Sequence, residues 1–194
     1  NVIQNEYPHL VANIPNQNWN EDASLSTVFD LDNYFVDPEN TPLTYTVSGN
    51  TNIVVSINSN NQVSFSQPAN WYGVETIVFR ASDGILTNVS NSVILNVSNI
   101  NDAPNLTKNI PDLNWAGNTN KSIDLEDYFT DPDGDTLGYS STSVENIKVY
   151  INNNTGTAIF SPNKDWGGNK TIKFTAYDNK GLKTESNLVT LRVS

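Results

Sequence analysis

The feature that most constrains this chain is that it reads itself twice. Pro8, Ile14, Pro15 and Trp19 recur as Pro104, Ile110, Pro111 and Trp115, each 96 residues later. The segment from Asp30 to Glu39, with Tyr34, Phe35, Asp37 and Pro38, recurs from Asp124 to Asp133 with Tyr128, Phe129, Asp131 and Pro132, offset by 94. Trp71 and Gly73 match Trp166 and Gly168, and the run from Thr76 to Asp83 matches that from Thr171 to Asp178. Matches kept in one order along 194 residues mean one structural unit built twice, expected over residues 1–101 and 102–194. The phase adds to this. Asn5, Glu6 and Pro8 fall on Asn101, Asp102 and Pro104, which follow the last strand of a repeat, so the chain is expected to open on a linker and to be part of a longer array, or a subunit that joins others there.

Within each repeat the hydrophobic period is two. Ile172, Phe174 and Ala176 alternate with Thr171, Lys173, Thr175 and Tyr177, and Val189, Leu191 and Val193 with Thr190 and Arg192, which is the signature of half-buried strands. Residues 152–156 read as a hairpin turn. No segment holds a helical period for three turns. About seven short strands in roughly 95 residues predict an all-β chain of two tandem Greek-key β-sandwiches.

Charge and composition narrow the function. The net charge is −11, from 21 acidic against 10 basic residues, and Arg80 is the only Lys or Arg among the first hundred. Such a surface suits cations and is a poor partner for nucleic acid or an anionic membrane. No apolar run approaches the length of a membrane span, so no membrane insertion is expected. The chain has no Cys, which removes disulfides, thiolate zinc and cysteine nucleophiles. His9 is the only histidine, and there is no nucleophile elbow or phosphate loop, so no enzyme is expected.

The carboxylates concentrate at one end of the second repeat. If the strands alternate up and down, the loop from Glu126 to Asp135, the turn starting at Asp178 and the linker residues Asn101 and Asp102 meet there. Ca²⁺ takes six to eight oxygen ligands, and neighbouring carboxylates repel unless a cation sits among them. In Asp131-Pro132-Asp133-Gly134-Asp135, proline stiffens the turn, Gly134 permits a positive φ and alternate carboxylates can face one centre. The expected calcium set is Asn101, Asp102, Asp131, Asp133, Asp135 and Asp178. It is not an EF-hand, because glycine falls at the fourth position and Thr142 stands where a bidentate Glu is required. The first repeat offers a weaker version with Asn5, Glu6, Asp37, Glu39 and Asp83, since Asn40 and Thr41 replace Gly134 and Asp135.

At these residues a resemblance enters. Ala81-Ser82-Asp83-Gly84, the strand from Val93 to Val97 and then Asn101-Asp102-Ala103-Pro104 resemble the last strands and linker of a cadherin repeat, and Asp131-Pro132-Asp133-Gly134 resembles the cadherin D-x-D motif. The whole chain is similar to the cadherin-like, Ig-like tandem repeats of large bacterial and archaeal surface adhesins. The resemblance implies an extracellular, cell-surface module of a larger protein, stiffened by Ca²⁺ between repeats. It makes Asn101 and Asp102 linker ligands, Asp131 and Asp133 the D-x-D pair, and Glu21 the early acidic ligand of the preceding repeat. Cadherins carry an L-D-R-E motif where this chain has residues 68–73, so one ion is expected and not three. Neighbouring repeats or subunits of the same protein are the expected partners, with a surface glycan or protein as ligand.

Two alternatives follow from other residues. The segment Asn1 to Leu10, offering Val2, Ile3 and Tyr7, could complete a neighbour's sheet in a filament or surface layer. The paired tryptophans, Trp71 with Tyr72 above all, could stack on sugar rings as in a carbohydrate-binding module. Their recurrence beside Gly and Pro favours packing at the sandwich ends.

Overall fold

The computed structural model describes residues 4–194, so Val2 and Ile3 of the strand-addition expectation lie outside the described residues. The chain divides into two compact units, Asn1–Ile100 and Asn101–Ser194. Asn101 therefore belongs to the second repeat.

The first unit is built from β1 (His9–Leu10), β2 (Gln17–Asn20), β3 (Leu25–Asp30), β4 (Phe35–Val36), β5 (Thr44–Ser48), β6 (Val54–Ile57), β7 (Gln62–Ser66), β8 (Gly73–Ser82), β9 (Thr87–Val89) and β10 (Val93–Ser98). One sheet runs β2-β10-β8-β5 with β9 pairing β8, a second runs β3-β7-β6, and β1 pairs β4 in a small two-stranded sheet. β2 lies parallel to β10, with Gln17 opposite Leu95 and Asn20 opposite Ser98, while β10 is antiparallel to β8. The alternation read from the sequence places Ile77, Phe79 and Ala81 of β8 and Val93, Leu95 and Val97 of β10 in the core, with Phe65 and Val63 coming from the opposite sheet. Trp19 stacks on Phe65, and its indole N–H donates to Gln67.

The second unit repeats this with β11 (Asn105–Leu106), β12 (Leu113–Trp115), β13 (Lys121–Asp124), β14 (Phe129–Thr130), β15 (Gly138–Ser141), β16 (Ile147–Asn152), β17 (Thr157–Pro162), β18 (Gly168–Ile172), β19 (Phe174–Tyr177), β20 (Lys183–Glu185) and β21 (Val189–Val193). β12 is parallel to β21, and β16 and β17 form the expected hairpin, closing at Asn152 opposite Thr157. The described residues contain no α-helix.

There are more strand segments per repeat than the seven read from periodicity, and one cause is a shared interruption that separates β9 from β10 and β20 from β21. Ser90 and Ser186 are buried, and each exchanges two bonds with the facing strand: the Phe79 and Phe174 N–H groups donate to the serine hydroxyls, and the serine N–H groups donate back to the same residues' carbonyls. The next residue then leaves the sheet and becomes a clip. Asn91 accepts from Ile14 N–H at 2.8 Å and donates to Ile14 C=O at 3.0 Å, and Asn187 does the same with Ile110 at 2.8 and 2.9 Å. A half-buried amide that imitates a backbone partner satisfies polar groups for which the sheet has no strand to offer.

The tryptophan pairs pack as the sandwich-end expectation requires. Trp71 and Trp166 lie over Gly73 and Gly168, whose absent side chains leave room for the rings.

Candidate metal centre

The acidic loop of the second repeat, residues 131–135, is a tight turn organised by its first residue. Asp131 Oδ1 accepts from the N–H groups of Asp133 and Asp135 at 3.0 and 3.2 Å, and the Asp131 carbonyl accepts from Gly134 N–H at 3.1 Å. Gly134 takes φ +75°, a conformation that costs most side chains energy. Asp131 thus spends one carboxylate oxygen on folding the turn and holds the other, Oδ2, buried with no hydrogen-bond partner. The turn directs Asp133 and Asp135 back toward it, and each of the three residues offers one oxygen within 4.8 Å of the others.

The linker enters the same place. Asp102 N–H donates to Asp133 Oδ2 at 2.8 Å, and Asn101 Nδ2 donates to Asp178 Oδ2 at 2.6 Å. Asp178, only 4% exposed, accepts on its other oxygen from the N–H groups of Lys180 and Leu182 at 2.8 and 2.9 Å. The Asn101 bond does most to hold the Asp178 carboxyl below the usual carboxylate range; burial opposes it, and the backbone N–H groups add to it. The amide tether leaves Asn101 Oδ1 buried and unbonded.

Of the six residues expected from the sequence, Asn101, Asp102, Asp131, Asp133 and Asp135 are therefore gathered by the meeting of linker, acidic loop and following turn. Asp178 takes part differently: both of its oxygens already accept hydrogen bonds, and it orients Asn101. Glu21 belongs to the first unit, where its N–H donates to Ser98 C=O and its Oε1 accepts from Ile100 N–H at 2.6 Å. An all-oxygen set with bare, buried acceptors is the chemistry of a hard cation such as Ca²⁺. The residues fit that ion.

The first repeat copies this frame bond for bond. Asp37 Oδ1 accepts from Glu39 and Thr41 N–H at 3.0 and 2.9 Å, Asn40 stands at φ +58° where Gly134 stands in the second repeat, Asn5 donates to Asp83 Oδ2 at 2.9 Å, and Glu6 N–H donates to Glu39 Oε2 at 3.2 Å. Asp37 is 7% exposed, and its Oδ2 has no hydrogen-bond partner. Asp83 caps its turn through Leu86 and Ile85 N–H, and these bonds lower its pKa against burial, with the Asn5 amide adding to them. Thr41 supplies no carboxylate where Asp135 does, so the frame persists with fewer charges.

The sequence reading missed three things here. The Asn101-to-Asp178 tether could have been suspected, because Asn5 and Asp83 repeat it. Lys180 Nζ lies 3.6 Å from Asp135 Oδ2, and nothing in the repeat signals it, since Ile85 occupies the corresponding place. Glu75 also has no counterpart, its place being taken by Lys170.

Residues 100–194 match the family model described as a cadherin-like domain, and residues 5–96 match that of a bacterial Ig domain. The chain is a tandem of cadherin-like, Ig-like β-sandwich domains. Among solved structures it is similar to two crystal forms of the EC1-2 fragment of human protocadherin-24, at 15 and 16% identity, covering 98 and 96% of this chain and 99 and 98% of those chains, each with a TM-score of 0.53. It also aligns with an endo-fucoidan hydrolase of glycoside hydrolase family 107 at 20% identity and a TM-score of 0.44, covering 97% of this chain and spanning 29% of that enzyme's length. No curated protein matches the chain. Cadherin-like and bacterial Ig domains are typically extracellular, non-catalytic repeat modules, and cadherin-like domains generally bind calcium. No helix among the described residues of this tandem is long and apolar enough to cross a membrane.

Proposed function

We propose that this tandem is a structural and adhesive module of a larger extracellular protein, and that its second repeat binds Ca²⁺ at the end where the linker enters, stiffening the joint to the preceding repeat. The observation that carries this is two bare, buried acceptors: Asp131 Oδ2 in the acidic loop, in a residue grouped with Asp133 and Asp135, and Asn101 Oδ1 on the linker, next to Asp102 whose N–H donates to Asp133. Asp131, Asp133 and Asp135 would supply carboxylate oxygens, Asn101 and Asp102 would bring in the linker, and Asp178 would hold Asn101 in position. Bound calcium supplies the positive charge that offsets repulsion among these carboxylates. Without it the linker is held by a few hydrogen bonds. A ligand shared by linker and loop would fix the linker's direction and add to the stability of the second repeat by mass action.

A specific observation supports a weaker second site in the first repeat. Asp37 buries a bare oxygen there, and the one Lys or Arg of that repeat, Arg80, donates to Thr87, so a bound cation is the available compensation.

Thermal melts with Ca²⁺ and with chelator test the main reading. At about one hundred times the dissociation constant, calcium adds about 2.7 kcal/mol, so the melting transition of the second repeat should rise by several degrees. D131N preserves the Oδ1 bonds that fold the turn and removes the charge, and D133N removes a second one; in both the rise should shrink or vanish. A wild-type melt indifferent to calcium would sink the proposal.

A further inference from the structure

The acidic end of the second repeat already carries one cation of its own. Lys180 Nζ stands 3.6 Å from Asp135 Oδ2, an oxygen that is buried and accepts no hydrogen bond, so the ammonium is its charge partner. Asp135 Oδ1 is held from the neighbouring position by Asn179 Nδ2 at 3.3 Å. The same carboxylate lies with Asp131 and Asp133 in the group whose oxygens approach within 4.8 Å of one another. Four of the other basic groups of this repeat are engaged elsewhere: Lys170 with Glu145, Lys173 with Glu185, Arg192 with Asp112, and Lys108 over the Tyr128 ring.

Folding does not require lysine at this position. The Lys180 N–H caps Asp178 Oδ1, and in the first repeat the N–H of Ile85 caps Asp83 Oδ1 at 2.7 Å in the same turn, with an aliphatic side chain that is 79% exposed. The backbone makes the turn, and the side chain is free to serve another purpose. The Lys180 side chain is 52% exposed, so it can leave Asp135 for water without unfolding anything.

We propose that Lys180 is a tethered competitor for the calcium site and sets its affinity. This rests on the calcium reading above. With the site empty, the ammonium neutralises part of the acidic end. A divalent ion drawing Asp131, Asp133 and Asp135 together meets that ammonium as a like charge at close range and displaces it into solvent. The second repeat therefore fills at a higher calcium concentration than its carboxylates alone would set, and the difference shrinks as salt screens the repulsion.

Calorimetric titration of the whole chain with CaCl₂ at low ionic strength tests this on three proteins: wild type, K180Q and K180R. K180Q should bind about ten-fold more tightly, a difference of about 1.4 kcal/mol, and should melt lower than wild type in chelator, where the counter-ion is lost. K180R, which keeps the charge, should match wild type in both respects. An unchanged or weaker affinity in K180Q overturns the role of Lys180 and leaves the calcium reading standing. Absence of binding in all three proteins overturns both.

Discussion

Glu75 offers the sharpest test of how this fold holds its loops. It is 9% exposed on β8, and its two oxygens accept four hydrogen bonds from one segment: Asn52 N–H at 2.6 Å, Thr51 N–H at 2.9 Å, Asn52 Nδ2 at 3.1 Å and Ile53 N–H at 3.3 Å. Burial pushes this carboxyl up, but the Asn52, Thr51 and Ile53 groups together outweigh it and hold its pKa below the usual value. In E75Q one oxygen becomes an NH₂ facing N–H donors, so at least one bond is lost and a donor is left opposed. Hydrogen bonds to a charged group contribute about 1.5–3 kcal/mol each, and rehydration of the loop returns part of that, leaving a net cost of about 2 kcal/mol. For a domain of this size that lowers the melting temperature by about 8–16 °C. Differential scanning calorimetry should show the shift in the transition of the first repeat alone, since the second is a separate compact unit with Lys170 at this place.

The pH dependence follows from the sign of the shift. A carboxyl whose pKa is depressed by folding stabilises above its unfolded value, about 4.3 for Glu, and loses that contribution as the pH falls through the folded value. Wild type and E75Q should therefore converge in stability as the pH is lowered from 5 toward 3. A first-repeat transition in E75Q unmoved at pH 7, or a gap that widens on acidification, would refute this account.

Two other perturbations probe the clips and the close approaches. N187A removes the bonds that Asn187 makes to Ile110 N–H and C=O and to Leu188 C=O, and should destabilise the second repeat by about 2 kcal/mol without moving the first, as read by calorimetry. G49A should cost more than about 2 kcal/mol, because Gly49 stands at φ +101° and an added Cβ would collide with the Thr76 carbonyl oxygen; denaturant unfolding of the first repeat measures it.

The sequence alone determined that there are two copies of one all-β unit, because a repeat and a period of two are properties of residue order and survive any uncertainty about contacts. It also singled out Asp131, Asp133 and Asp135, whose spacing about Pro132 and Gly134 is a local turn signal. What it could not supply is which atoms are already occupied. Asp178 and Asp131 look alike as letters. Yet Asp178 accepts bonds on both oxygens, while Asp131 keeps one bare, and that difference arises from linker and turn residues far apart in the chain. The same holds for Ser90 with Asn91, ordinary polar residues in the sequence, which only the pairing of distant strands turns into a buried cross-strand bond and a half-buried clip. Glu75 and Lys170 occupy matched positions with opposite charge because each answers a different neighbour, the bare N–H groups of residues 51–53 in one repeat and the Glu145 carboxylate in the other. Residue order set the period and the turns, which are local; tertiary structure decided which polar groups meet, because hydrogen bonding is settled by the atoms within about 3 Å, wherever in the chain they originate.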